Sequence, residues 1–292
     1  MALPIGLNNL AKLTLLASDT SYFDNEHPAP LQLEFLRDTT YGDNAHYSVP
    51  AGFEKAIEFN ETTTTGFGFI AYRNQQTNEV IVALRGTDGP NPQDWVANSQ
   101  SLGWSQWRSP DGRARLFAFI DSLKANPLDP TTAFEGKVHF TGQSLGGGLA
   151  QYAAYEYVQS NQNLAGFSKA NITLTTFNGF GGILGLVQNA GGYNPTVLAD
   201  IGSNAHFYTE GDLVSRLGSL NGVGHTGGTT YLLNAHASEI DQDTGEPFLL
   251  NFADAHRIET GFYPFLLPGL EFEAAIARPI EYLPMQNVQR IA

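Results

Sequence analysis

The chain has no cysteine, which removes disulfides, a thiol nucleophile and every thiolate metal site and leaves the redox compartment open. Basic residues are scarce: 15 Lys and Arg stand against 29 Asp and Glu, a formal net charge of -14. Such a surface repels phosphate backbones, so no nucleic acid is expected as a partner, and the charge is read as a source of solubility. Long apolar runs are missing too. Within residues 1–20 the apolar stretch carries Lys12 and Asp19 and is broken by Asn8, Asn9 and Thr14, so neither a signal peptide nor a transmembrane segment is expected. Export by another route, or after removal of a segment, is slightly favoured over a cytoplasmic location. No repeat or low-complexity tract stands out.

What is present is core material. Hydrophobic residues make up 42% and aromatic residues 12%, enough to build a sizeable core and to exclude a largely disordered chain. At 292 residues a single large sheet-and-helix domain is expected: an N-terminal helix and cover over 1–65, a catalytic core over about 66–260, and a Pro-containing tail over 262–292. Apolar residues from Ile5 to Leu16 recur at three-and-four spacing and predict a helix packed on the body. The stretch 18–65 is polar and turn-rich and reads as surface cover with little regular structure. Strands are predicted over 66–73 and 79–85 as a hairpin about Asn74–Asn78, then over 138–141, 172–177, 206–209 and 229–233. Helices are predicted over 113–124 and 145–158.

The chemistry is carried by Gly142-Gln143-Ser144-Leu145-Gly146, a G-x-S-x-G pentapeptide. It stands after a β-forming run and before a helix, the context in which a serine is held on a sharp strand-to-helix turn. Glycines on either side remove Cβ atoms that would collide there, and the helix start directs N–H groups toward a developing oxyanion. A serine hydroxyl needs a base to take its proton and a carboxylate to hold that base. In the α/β-hydrolase order of Ser, acid, His, the acid is read as Asp212, in the loop after a predicted strand. Four histidines follow Ser144. His256 is favoured as the base, with His236 next. His206 is read as a satisfied core or edge histidine and His225 as a loop residue. Asp254 competes as the acid but stands too close to His256 in sequence and reads as a cap of its own turn.

These blocks resemble the class 3 (fungal-type) lipases and their bacterial relatives in the α/β-hydrolase superfamily. The likeness is carried by Val80–Thr87, by Asp94, Trp95 and Asn98, by Thr141–Ala150, by Thr176–Asn178 and by Gly211–Ser215, with His256 extending it to about 257. It implies an α/β-hydrolase fold, a central and mostly parallel sheet flanked by helices, with a lid-like loop after the oxyanion strand. It also implies backbone oxyanion donors at Thr87 and Leu145, and a lid over 88–107 bearing Trp95, Trp104 and Trp107. One departure is Gln143, where the family usually has histidine.

The expected activity is therefore hydrolysis of carboxylic esters of lipids, as by a triacylglycerol lipase, through an acyl-enzyme on Ser144. Phospholipase A1 and short-chain carboxylesterase share the machinery, as does a serine peptidase. From another class, a non-catalytic binding module would keep the elbow as scaffold. The expected partner is a lipid or ester substrate, presented at a lipid–water interface. No cofactor is expected, and no metal: Asp241–Glu246 has alternating oxygen ligands but lacks the full calcium-loop spacing and reads as a solvated turn.

Overall fold

A computed structural model of the chain describes residues 5–20, 52–61, 65–86, 103–189, 192–209, 212, 224–233, 262 and 274–279. Its frame is one eight-stranded sheet in which spatial order equals chain order. The strands are β1 (Glu54–Asn60), β2 (Gly68–Asn74), β3 (Glu79–Leu84), β4 (Lys137–Gln143), β5 (Ile172–Phe177), β6 (Ser203–Thr209), β7 (Thr229–Leu233) and β8 (Ala274–Pro279). From β3 to β7 every pairing is parallel, whereas β1, β2 and β8 join antiparallel.

Side-chain alternation in the strands creates two packing faces. Val80, Val82 and Leu84 of β3 meet Val138 and Phe140 of β4 in the main core, together with Leu149, Ala153 and Tyr157 from a helix above them. That helix is α4 (Leu145–Asn161), the crossover from β4 to β5. α2 (Trp104–Trp107) and α3 (Pro110–Ser122) lie in the preceding crossover and pack into the same core. Intervening residues Ile81 and Ala83 face the other way and pack with Ile70, Tyr72 and Ala17. Ala17 belongs to α1 (Ile5–Thr20), so the expected N-terminal helix covers the opposite face of the sheet. A last short helix, α5 (Ile183–Asn189), lies in the crossover from β5 to β6.

Helices α3 and α4 share one side of the sheet because successive right-handed crossovers between neighbouring parallel strands return on the same face. α3 starts at Ser109, whose hydroxyl accepts from Gly112 N at 3.2 Å, followed by Pro110 at the first helical position. Such a cap contributes about 1 kcal/mol. The Ser109 hydroxyl also donates to Glu61 at 2.6 Å and so ties the helix to the end of β1.

One expectation needs correction, and one stretch left unassigned is structured. The stretch 18–65 contains β1, which pairs with β2 through a register shift between Lys55 and Ile57. Only half-buried side chains and an exposed outer edge mark it, so its apolar signal is weak. The tail contributes β8, paired to β7, where the sequence offered nothing to assign. No helix among the described residues is long and apolar enough to cross a membrane.

Candidate functional site

Ser144 joins the last residue of β4 to the first of α4. Its backbone has φ 57° and ψ -128°, a region that non-glycine residues adopt only when their surroundings impose it, at a cost of about 1–3 kcal/mol. Several contacts impose it. Ser144 N donates to Phe177 O of β5 at 3.0 Å, and the Ser144 carbonyl accepts from Gly147 N at 3.0 Å and Phe180 N at 3.3 Å. A Cβ at Gly142 would collide with the Gly146 carbonyl, and one at Gly146 would collide with the Leu84 carbonyl and lie 2.9 Å from Gly86 N. The pentapeptide is glycine-flanked because β3, β4 and the start of α4 approach backbone to backbone at this point. Although Ser144 holds the helix N-cap position, its hydroxyl does not cap the helix. The Leu145 N–H, in the first helical turn, has no carbonyl of its own helix to bond.

One strand further on, Asn178 continues the arrangement. It has φ 46°, its N–H donates to Phe207 O at 2.8 Å, and its side chain grips the end of β6. The Asn178 Oδ1 accepts from Thr209 N at 2.9 Å while its Nδ2 donates to Thr209 Oγ1 at 3.0 Å. Thr209 O in turn accepts from Asp212 N at 3.3 Å, and Asp212 is 1% exposed. Ser144 and Asp212 thus stand at the same edge of the sheet, on strands two places apart. Strands two places apart in a sheet lie about 10 Å from axis to axis.

Gln151, one face of α4 further along, is fully buried and joins three segments. Its Nε2 donates to Phe180 O at 2.6 Å, and its Oε1 accepts from Gly182 N at 3.0 Å and Thr226 N at 2.9 Å. The helix carrying the nucleophile candidate therefore also fixes the loops after β5 and before β7. Sequence reading missed Gln151; a lone amide on an otherwise apolar helix face was the available signal. It also assigned no positioning role to Asn178.

Of the histidines following Ser144, two are described. His206 is fully buried, and its Nε2 pairs with Gly227 O at 3.0 Å while Nδ1 pairs with Thr176 Oγ1 at 2.8 Å. A carbonyl only accepts, so Nε2 carries the proton and Nδ1 accepts from the threonine. Burial pushes this imidazole down to about 3. His225 stacks on it with ring centroids 4.0 Å apart, and burial together with the neighbouring His206 lowers it well below the ordinary range. Both are neutral, enclosed rings and poor general bases. His236 and His256 lie outside the described residues, as do Thr87, Trp95 and Asp254.

Trp104 and Trp107, expected in a lid, are core side chains. Trp104 is 7% exposed and meets Tyr152 of α4 edge-on at 5.0 Å, while Trp107 is fully buried against Phe67 and Phe117. The Trp107 indole N–H donates to Glu156 at 2.9 Å, so both the apolar ring and its polar tip are satisfied within the body. Among the described residues no cluster of His, Asp and Glu is arranged to hold a metal ion.

No family model matches the chain, and no curated protein matches it. Solved structures do. A mutant form of MDLA from Penicillium cyclopium superposes with a TM-score of 0.55 at 16% identity, over 89% of this chain and 99% of that one. A triacylglycerol lipase, described as having a serine protease triad at its catalytic centre, matches with a TM-score of 0.53 at 16% identity, over 90% and 99%. The native lipase–propeptide complex of Rhizomucor miehei matches with a TM-score of 0.51 at 17% identity, over 80% of this chain and 70% of that one. The fold is that of an α/β-hydrolase. At these identities the likeness extends to the fold alone.

Proposed function

We propose that the chain is a serine hydrolase cleaving carboxylic esters of lipids, in the manner of a triacylglycerol lipase. The observation carrying this reading is the strained Ser144, held by hydrogen bonds from three segments while its hydroxyl is left out of helix capping. Strain of this kind persists only where the surroundings over-determine it. Here it sets the hydroxyl at the start of a helix and on the same sheet edge as a buried carboxylate.

In this reading His256 takes the Ser144 proton as the oxygen attacks the ester carbonyl. The carbonyl π electrons move onto its oxygen, which is held by the N–H groups of Leu145 and Thr87. Collapse of the tetrahedral species breaks the bond to the alcohol, which leaves with the proton from His256 and gives an acyl-enzyme. Water then repeats the sequence and releases the acid. Asp212 holds the ring of His256 in the required tautomer. A lid would be formed by residues before Gly103, Trp95 included, because Trp104 and Trp107 are committed to the core.

Labelling with a fluorophosphonate probe, followed by peptide mapping, tests the nucleophile. Modification is expected at Ser144, with none in Ser144→Ala, whereas a non-catalytic module would stay unlabelled. Hydrolysis of p-nitrophenyl esters of graded chain length, beside triglyceride and phosphatidylcholine, separates lipase, phospholipase and carboxylesterase. His256→Ala should abolish turnover and His236→Ala should not; the reverse ranking moves the base to His236.

A further inference from the structure

On the α4 side of the sheet lies a cavity of about 500 Å³ lined by Trp104, Arg108, Arg113 and Gln188. Its charged wall is made of two arginines in a chain whose net charge is -14, and no carboxylate is among its described lining residues. Arg113 is only loosely paired, its Nη1 lying 3.4 Å from Glu156, whose same oxygen already accepts from Trp107. Among the described residues Arg108 has no ion pair or side-chain hydrogen bond; its backbone N–H donates to Trp104 O at 2.9 Å. The walls around these cations are fixed. Trp104 is wedged edge-on against Tyr152, and α5, which carries Gln188, packs through Gly185 directly against the same Tyr152 ring.

We propose that this cavity is an oxyanion site that takes a phosphate-type group. Guanidinium groups present planar forks of donors that match phosphate oxygens two at a time, and the Gln188 amide adds a neutral donor. Tyr152, against which Trp104 packs, is eight residues beyond Ser144 on α4, about 12 Å along the helix from the nucleophile candidate. The bound group can therefore come from two sources: the phosphoryl headgroup of a glycerolipid, or free phosphate. Only the first source rests on the proposed ester hydrolysis; the oxyanion site does not.

The test is calorimetric titration of the full chain at constant ionic strength. Inorganic phosphate is expected to bind the wild-type chain, with a Kd raised at least about tenfold by Arg108→Gln and less by Arg108→Lys, which keeps charge but loses the fork. Arg108 is exposed, so the variants should fold alike by circular dichroism; Arg113→Gln provides a second, independent loss. Soluble dihexanoylphosphatidylglycerol is then titrated into Ser144→Ala, with dihexanoylglycerol as the uncharged control. Binding that is stronger than for both phosphate and the control, and that is lost with Arg108→Gln, assigns the site to a lipid headgroup. Binding no stronger than that of phosphate assigns it to free phosphate. Absence of phosphate binding at millimolar concentrations, or equal Kd in the wild type and Arg108→Gln, overturns the proposal. Failure of fluorophosphonate labelling would remove the esterase reading and leave this titration unaffected.

Discussion

The parallel strands β3 to β6 end and begin in different surroundings. At their C-terminal edge Arg85, Gln143, Asn178, Thr209 and Asp212 are polar and buried, and Asn178 and Thr209 bond side chain to main chain across strands. Toward the N-terminal edge His139 and Thr173 form one buried pair at 2.8 Å, while the charged groups at the strand starts meet solvent. Lys137 and Glu79 form a 2.7 Å ion pair with the lysine side chain 56% exposed, and Lys169 reaches Thr196 O at 2.7 Å on the surface. Positive φ does not distinguish the edges, since Asn78 and Asp200 have φ of 54° and 62° at one and Ser144 and Asn178 have 57° and 46° at the other. Nor does close glycine packing, because Gly136 and Gly202 at the N-terminal edge also abut neighbouring carbonyls. The difference is buried polarity, which costs free energy unless every group is paired. A fold carries that cost at the edge where chemistry is expected.

Breaking the buried edge should have the largest effect. Gln151→Leu keeps the volume but orphans Phe180 O and the N–H groups of Gly182 and Thr226, each worth about 1–3 kcal/mol when buried without a partner. A loss of about 4 kcal/mol in urea denaturation is expected; a loss under about 1 kcal/mol would mean that water replaces the amide.

Acid should act on both halves of the sheet. Burial holds His139 at about 4 and His206 at about 3, below the usual value of about 6.5 in an unfolded chain. Between those values the unfolded chain binds protons that the folded chain refuses. Stability is therefore complete above about pH 6.5 and falls as the pH drops toward 4 and then 3, by on the order of 3 kcal/mol per histidine. The urea midpoint at pH 7 and pH 4 measures this, and His139→Gln should flatten the slope; equal midpoints would contradict it.

Asn178→Ala should cost about 2 kcal/mol by unpairing Thr209 N. It should also lower kcat for a soluble ester with little change in KM, because the loop bearing Asp212 loses its anchor. Unchanged kcat in a destabilised protein would limit Asn178 to a structural part. The smallest effect is expected at the exposed edge, where Lys137→Ala should change stability by no more than about 0.5 kcal/mol, less still at high salt. A larger loss there would erase the contrast between the two edges.

Legibility in the sequence followed how local the cause was. Strands β5 and β7 were read with their observed ends because each is a short β-forming run between turns, and α4 was read from its spacing although its last turn extends to Asn161. β1 and β8 escaped because each is defined by the strand it pairs with. The helical turn α2 escaped because its tryptophans serve the core and not the surface, a choice made by Tyr152 and Glu156 far along the chain. His206 could be set aside from its place in a strand. His225 could not, since only its stacking on His206 shows it to be enclosed.

The sequence by itself determined the elbow, because Gly142, Ser144 and Gly146 act within one turn and no partner is needed to see that the turn is sharp. It also determined the alternation of strand and helix, which periodicity encodes locally. The tertiary structure alone decided which distant residues share that edge. Asn178, Thr209 and Asp212 meet because β5 and β6 lie side by side, Gln151 reaches two loops because α4 lies across them, and Arg108 and Arg113 line one cavity with Gln188 of α5, far away in the chain. Contacts between residues this far apart in the chain leave no periodic trace, since burial and pairing are set by what the fold places opposite each side chain.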